Sequence, residues 1–177
     1  MTDRELLDRA RAGDRAAFGI VVGRYGPAVR RVARVILHHS ADADDAAQEA
    51  FLAAWRNLAR FDPARPVGPW LFRIAANAAR DLRRRRRVRA AEPRMPDPLD
   101  PGRDPAVAGE RREHVLAALA QLPERQRLAV VLFEVEGYRH AEIAGILDVP
   151  EGTVRSDVFH AHRALRQRLG SILEEGP

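Results

Sequence analysis

The sequence of 177 residues contains no cysteine, no lysine and no long hydrophobic run. Without cysteine the chain forms no disulfide, no thiolate zinc site and no cysteine nucleophile. The longest apolar run, residues 128–133, is far too short to span a bilayer, so membrane insertion is excluded. Residues 1–5 lack the apolar core of a secretory signal peptide, and we expect a cytoplasmic protein. The length suits one or two small domains.

All 30 basic side chains are arginines, and they are distributed unevenly. Residues 1–88 hold 18 arginines and 10 acidic residues, a net charge of +8, whereas residues 113–177 hold 7 and 10, a net charge of −3. Residues 89–112 hold 5 of each. Binding to a polyanion must therefore be argued for each segment separately. The alternative is an arginine-rich surface that is only solvated.

Proline is concentrated in the middle of the chain. Residues 89–112 have almost no large apolar side chain but contain Pro93, Pro96, Pro98, Pro101, Pro105, Gly102 and Gly109. Prolines at this density remove backbone donors and favour extended segments, so we expect a semi-rigid linker. The chain is thus predicted to consist of a unit of residues 1–88, a linker of residues 89–112 and a unit of residues 113–177.

Apolar spacing predicts two helices in the first part of residues 1–88. Apolar side chains recur every three or four residues over residues 18–36, where Gly26 and Pro27 predict a break or a kink. A second helix is expected to begin with Asp42 as its N-cap and to run to about Leu58. Its buried stripe is predicted to contain Phe51, Leu58 and either Ala54 or Trp55. Its outward side chains are possible partner contacts: Gln48, Glu49 and Arg56.

A third helix, with a strongly basic face, is predicted after residue 70. Its apolar face comprises Leu71, Ile74, Ala75, Ala78 and Leu82. Its opposite face comprises Arg73, Asn77, Arg80, Arg84 and Arg87. Arginines on one stripe, continued by the run of residues 83–87, fit a phosphate backbone, although a basic face that is only solvated is the alternative. In the preceding loop, Phe61 suits either stacking on an unpaired base or the core, and Trp70 is expected in the core.

Residues 113–177 predict a helix-turn-helix. A strongly apolar helix ends at Gly137, and residues 140–155 then show a helix, a tight turn at residues 148–152 and a second helix opened by Thr153. The second helix is predicted to bury Val154, Val158, Ala161, Leu165 and Leu169. Its exposed side chains, the candidate base and phosphate contacts, are Arg155, Ser156, Phe159, His160 and Arg163. A purely structural helical hairpin is the alternative.

No constellation of residues predicts catalysis or a metal site. An EF-hand beginning at Asp42 would need glycine and glutamate where Ala47 and Ala53 stand. The histidine pairs point apart on a helix: His38 with His39, and His160 with His162. No Ser/His/Asp triad, glycine-rich phosphate loop or paired carboxylate stands out. We therefore expect no catalytic residue, no metal and no cofactor, and we do not expect an enzyme.

Two sets of motifs, in order around the linker, carry a family resemblance. Residues 42–55 (DADDAAQEAFLAAW) and 70–81 (WLFRIAANAARD) resemble region 2 of the extracytoplasmic-function (ECF) group of bacterial RNA polymerase sigma factors, within the sigma-70 family. Residues 122–126 (LPERQ) and 143–156 (IAGILDVPEGTVRS) resemble region 4 of the same group. The resemblance implies an all-α fold with two small helical domains, a region 2 bundle and a region 4 helix-turn-helix.

The resemblance also implies a division of function. Region 2 docks on core RNA polymerase and melts the −10 element, whereas region 4 binds the −35 element as duplex. The docking residues, facing the clamp helices of the largest subunit, would be Asp45, Gln48, Glu49 and Trp55, the last of them in docking or its support. The −10 contacts would be Phe61, Asn77, Arg80 and Arg84. The −35 contacts would be Arg155, Ser156, Phe159, His160 and Arg163.

Further partners follow from the resemblance alone. The flap of the second-largest polymerase subunit is an expected contact, and the linker would lie along the polymerase. Free sigma factors of this group are often held inactive by an anti-sigma factor, so such a partner is expected as well.

Two departures from the group's pattern concern the −35 preference. Asp157 stands where the group commonly has arginine, and it is expected to place a negative charge near the phosphates. Tyr138, Arg139 and His140 replace the usual entry to the helix-turn-helix. A stand-alone helix-turn-helix regulator and a metal-dependent nucleic-acid enzyme are the alternatives to a sigma factor.

Overall fold

The computed structural model describes residues 1–89 and 108–174, and over these residues the chain forms helices and no strand. The chain divides into two compact units. The first unit contains α1 (Asp3–Arg11), α2 (Arg15–Leu37), α3 (Ser40–Arg56), a short 3-10 helix (Leu58–Arg60) and α4 (Val67–Arg89). The second contains α5 (Ala108–Ala120), α6 (Glu124–Glu134), α7 (His140–Leu147) and α8 (Glu151–Glu174). The predicted all-α fold with two helical units is confirmed.

Most of the predicted linker, residues 90–107, lies outside the described residues. Helix α5 begins at Ala108, within the range predicted for the linker. In the part of the chain that is described, no helix is long and apolar enough to cross a membrane.

Side-chain caps define the start of the first two helices. Thr2 and Glu5 form a capping box at α1, in which each side chain accepts a hydrogen bond from the other residue's backbone N–H. Asp14 caps α2 by accepting from the backbone N–H of Ala17 at 3.0 Å, and it also accepts from Arg9 at the end of α1. Asp14 therefore fixes the turn between the two helices.

Helix α2 continues through Pro27, so of the two predicted effects, a break or a kink, the break is absent. A proline inside a helix removes one backbone hydrogen bond and crowds the preceding turn. Here Val21 and Val29, on either side of Pro27, are fully buried, and α2 packs against α1, α3 and α4. Tertiary packing of the apolar stripe thus overrides the local cost of the proline.

Asp42 is not the N-cap of α3, which corrects the prediction. His39 occupies the cap position, and Asp42 lies in the first turn, where it is buried and paired with Arg86 of α4. Helix α3 also ends at Arg56, before the 3-10 helix that contains Leu58. The core side of α3 is formed by alanines, with Ala54 buried and Trp55 only half-buried.

The second unit packs α6, α7 and α8 around a small aliphatic core. Leu128, Leu132, Ile143 and Val154 are its largest fully buried side chains. Helix α6 ends at Glu134, three residues before the predicted Gly137, and Gly137 itself adopts φ 73°. Asp148, with φ 59°, ends α7 and begins the turn of the helix-turn-helix. Helix α8 begins at Glu151, two residues before the predicted Thr153.

Candidate functional site

The outer face of α3 presents acidic and apolar side chains together. Asp45, Gln48 and Glu49 are exposed, as predicted. Leu52 lies on the same side, seven residues after Asp45, and is 44% exposed. Leu52 was not among the predicted contacts, although its spacing from Gln48 and Glu49 was a sufficient signal. We call these four residues the α3 outer face.

Trp55 is not part of the α3 outer face. Its ring packs edge-on against the buried Phe18 of α2, with a centroid distance of 5.0 Å. This contact joins α2 to α3 near the end of α3. Both roles predicted for Trp55, docking or its support, stay predictions.

Ion pairs surround the first turn of α3. Arg86 of α4 pairs with Asp42 and lies 3.7 Å from the carboxylate of Asp45. Arg30 of α2 lies 2.7 Å from the carboxylate of Asp44. Neighbouring helices thus supply the positive charges that face the acidic start of α3.

The basic face of α4 is exposed over most of its length. Arg73, Asn77, Arg84 and Arg87 are exposed, and Arg80 is half-buried. We call these five residues the α4 basic face. Arg84 pairs with Asp81 at 2.7 Å on the surface, a kind of pair that typically contributes little to stability.

The run of arginines at residues 83–87 does not lie on one face. Arg83 Nη1 is 3.5 Å from the carbonyl oxygen of Ile36 on α2, and Arg86 faces α3. Arg84 and Arg87 point to solvent. The run therefore includes arginines that hold the bundle together as well as arginines available to a ligand.

Phe61 lies in the core, so its ring is not presented to an unpaired base. It is buried, and its ring centroid is 4.5 Å from that of Trp70. Arg11 of α1 donates to the carbonyl oxygen of Phe61 and to that of Leu58, the latter at 3.1 Å. The guanidinium of Arg11 also lies 5.9 Å from the centre of the Phe61 ring. The loop before α4 is thus anchored to α1 through Phe61.

The exposed face of α8 matches the prediction. Arg155, Ser156, Phe159, His160 and Arg163 are all exposed, and we call them the α8 exposed face. Phe159 is 63% exposed, which is unusual for a large apolar side chain. Arg155 pairs with Glu151 one turn earlier at 2.6 Å. Val154, Val158 and Ala161 are buried on the opposite side.

Asp157 does not face the phosphates, which corrects the expectation for this residue. It is 4% exposed and lies on the side of α8 that packs against α6. The guanidinium of Arg125 on α6 donates to both of its carboxylate oxygens. The charge of Asp157 is therefore paired inside the second unit.

Among the described residues, no group of three or more potential ligands is placed to hold a metal ion. His162 Nε2 is 2.8 Å from the carboxylate of Glu134, and His160 lies on the exposed face of α8. The two histidines therefore face different surroundings on α8.

Two family models match the chain. Sigma-70 region 2 matches residues 21–89, and Sigma-70 region 4 matches residues 112–165. The chain is 38% identical over 171 residues to the ECF RNA polymerase sigma factor SigM of Mycobacterium tuberculosis, covering 97% of this chain and 86% of SigM. It is 32% identical over 194 residues to the ECF RNA polymerase sigma-E factor of Escherichia coli, covering 98% of this chain and 97% of that protein.

Solved structures show the same fold. The structure of CnrH in complex with the cytosolic domain of CnrY gives a TM-score of 0.72 at 31% identity, covering 96% of this chain and 97% of that chain. The sigma factor RpoE of Bartonella quintana, in complex with the anti-sigma factor NepR, gives a TM-score of 0.75 at 24% identity, covering 86% and 96%. With both region models matched in order and relatives above 30% identity over nearly its full length, the chain belongs to the ECF group of the sigma-70 family and is an RNA polymerase sigma factor.

Proposed function

We propose that three surfaces have separate roles in promoter-specific initiation. The α3 outer face docks on the clamp helices of the largest polymerase subunit, the α4 basic face holds the melted −10 strand, and the α8 exposed face binds the −35 duplex. The observation that supports this most directly is the separation of charge on adjacent helices: acidic and apolar side chains lie on α3, and arginines lie on α4.

In docking, the α3 outer face would combine an apolar contact with surrounding charge. Leu52 lies one turn from the exposed Gln48 and Glu49. An apolar anchor surrounded by polar side chains is the usual arrangement of an interface hot spot. The partner surface would then be helical, basic and locally apolar.

During promoter opening, the α4 basic face would bind the single-stranded −10 DNA by charge and by hydrogen bonding. The amide of Asn77 both donates and accepts, which suits the edge of an unpaired base. Arg80 and Arg84 supply planar guanidinium groups for phosphates or for stacking. Because Arg84 pairs with Asp81 only at the surface, that pair is easily exchanged for a phosphate. Phe61 acts indirectly here, by anchoring the loop that precedes α4.

At the −35 element, α8 would enter the major groove as the second helix of a helix-turn-helix. Arg155 and Arg163 suit guanine edges or phosphates, and the exposed ring of Phe159 suits the methyl group of thymine. Ser156 and His160 add hydrogen-bonding groups on the same face. Because residues 113–177 carry a net charge of −3, the affinity of this half for duplex should be weak without polymerase.

The remaining assignments follow from the family. The chain would catalyse no reaction itself and would need no cofactor, and it would act in the cytoplasm with core polymerase and promoter DNA. The second unit would also contact the flap of the second-largest subunit. An anti-sigma partner is proposed from the family resemblance, and it agrees with the binding of CnrH, at 31% identity, to a second protein, the cytosolic domain of CnrY.

Run-off transcription with core polymerase on a library of host promoters tests this function. Wild type should give transcripts that depend on the chain, and Glu49→Arg and Arg80→Glu should both weaken them. Arg15→Glu, a charge reversal at an exposed position at the start of α2, is the matched control and should transcribe like wild type. Duplex binding without polymerase, together with no effect on core-dependent transcription, would favour the stand-alone regulator instead.

A further inference from the structure

Apart from Asp42, the buried side chains of α3 are alanines, and the contact of Trp55 with Phe18 lies near the end of the helix. Its core side consists of Ala43, Ala46, Ala47, Ala50 and Ala54, all buried. An alanine buries only one methyl group, so it lets helices approach closely but contributes less to the free energy of folding than leucine or phenylalanine. Contacts of other kinds therefore weigh more in deciding where α3 lies.

Those contacts are concentrated in the first two turns of α3, where Arg86 faces two carboxylates. Its Nη1 pairs with Oδ1 of Asp42, and its Nη2 lies 3.7 Å from Oδ2 of Asp45. Asp42 is only 6% exposed, so its charge needs this partner. The helix dipoles add to the attraction, because acidic groups favour the start of α3 and a cation favours the end of α4.

Arg86 differs from the other arginines in its run because of its place on α4. It lies seven residues after the buried Ala79, on the stripe that packs into the bundle. Its side chain is 36% exposed, whereas that of Arg84 is 76% exposed. Arg87 is exposed and makes no ion pair within the described residues. Arg86 is thus the arginine of the run that pairs with α3.

We propose that Arg86 is a positioning residue for polymerase docking and is not one of the arginines that contact DNA. It holds the first turn of α3 through Asp42 and orients the exposed carboxylate of Asp45 within the α3 outer face. The proposal rests on the proposed role of Asp45 in binding core polymerase. It also connects the two surfaces of the first unit, since one side chain of the DNA-binding helix sets the geometry of the docking helix.

A double-mutant cycle on core affinity tests this with the full-length chain. Arg86→Gln should weaken binding to core polymerase roughly fivefold in the wild-type background and less than about twofold in the Asp45→Asn background. Arg86→Lys should restore part of the loss because it keeps one charge near Asp42. Arg85→Gln, at an exposed position of the same helix outside the α4 basic face, is the matched control and should leave core affinity unchanged.

A second pair of variants separates a loss of folding stability from a loss of the positioning effect. Arg86→Gln leaves Asp42 buried without its cation, whereas Arg86→Gln combined with Asp42→Asn removes that charge. If Arg86 positions Asp45, the combined variant should regain thermal stability but keep the weakened core binding. Full recovery of core affinity would make Arg86 merely structural and would overturn the proposal.

Two further outcomes would overturn the proposal for different reasons. An equal loss of core affinity from Arg86→Gln in both backgrounds would show that Arg86 does not act through Asp45. If Arg86→Gln leaves core affinity unchanged but weakens the binding of −10 DNA by saturated holoenzyme, Arg86 is one of the arginines that contact DNA. If Asp45→Asn alone leaves core affinity unchanged, the docking role proposed for Asp45 itself is wrong.

Discussion

Asp157 on α8 accepts two hydrogen bonds from one guanidinium, that of Arg125 on α6. The distance from Nε to Oδ2 is 2.5 Å, and the distance from Nη2 to Oδ1 is 3.3 Å. The hydrogen bonds and charge of Asp157 raise the pKa of the Arg125 guanidinium. Asp157 is one residue from Ser156 and two from Arg155, so this pair joins α6 to the part of α8 that carries the α8 exposed face.

Asp157→Arg, which introduces the arginine that the family resemblance leads us to expect at this position, should therefore destabilise the second unit and not strengthen DNA binding. It would place two guanidinium groups together at a buried position, and we expect a loss of about 2 kcal/mol or more in the free energy of unfolding. Arg125→Glu in the same chain should recover most of the loss, because it restores an opposite pair. Denaturant unfolding of the single and double variants measures both effects. A fully stable Asp157→Arg protein with higher duplex affinity would contradict the pairing.

Pro27→Ala should stabilise the first unit. Pro27 is exposed in the interior of an unbroken helix, so alanine adds a backbone hydrogen bond and removes crowding without opening a cavity. The expected gain is about 1–3 kcal/mol, seen as a higher denaturant midpoint with an unchanged slope. Ala28→Pro, at the adjacent position, is the opposite change and should be strongly destabilising. A lower midpoint for Pro27→Ala would show that proline is required by the packing of α2.

The cap at Asp14 should make the stability of the first unit depend on pH in the acid range. Its hydrogen bond from the Ala17 backbone and then that from Arg9 lower the pKa of the Asp14 carboxyl. A pKa lowered by folding gives stabilisation that is complete above the ordinary aspartate pKa of about 3.9 and is lost as the pH falls through the folded value.

Asp14→Asn separates the cap from its charge. Asparagine keeps the cap but has no charge, so the stability difference between wild type and Asp14→Asn should shrink as the pH falls below about 4. Asp14→Ala loses the cap as well and should be the less stable variant at neutral pH. Urea unfolding across a pH series measures the difference, and a gap that widens in acid would contradict the lowered pKa.

Leu52→Arg should weaken core binding without unfolding the chain. Leu52 is largely in solvent, so the substitution removes little packing but places a cation in the centre of the α3 outer face. We expect at least a tenfold loss of affinity for core polymerase, the size typical of an interface hot spot. Val135→Arg changes an exposed apolar position on the second unit and is the comparison. When affinity is measured for an isolated clamp fragment, Val135→Arg should weaken binding less than Leu52→Arg does. Equal core affinity for Leu52→Arg and wild type would remove Leu52 from the docking surface.

The sequence was most informative where one periodic stripe decides which side of a helix is buried. The exposed faces of α4 and α8 follow from apolar spacing because burial of that stripe dominates their orientation. The same spacing could have placed Leu52 with Gln48 and Glu49. Helix boundaries and Pro27 were less predictable, since tertiary packing outweighs local preference there.

The errors concern polar and aromatic residues whose partners are distant in the chain. From the sequence alone, Asp42 looks like an N-cap and Asp157 looks like a surface charge. In the structure Asp42 pairs with Arg86, and Asp157 pairs with Arg125, 32 residues away. Phe61 was equally compatible with the core and with a base, and its contacts with Trp70 and Arg11 decide for the core. Pairings of this kind depend on the tertiary fold and leave no local signal.

The most direct test of the account separates polymerase binding from promoter opening. Core affinity and permanganate reactivity of the −10 thymines should be measured for wild type, Glu49→Arg and Arg80→Glu. We predict that Glu49→Arg fails to bind core, and that Arg80→Glu binds core normally but leaves the −10 thymines unreactive. Normal opening by Arg80→Glu, or normal core binding by Glu49→Arg, would contradict the assignment of docking to α3 and opening to α4.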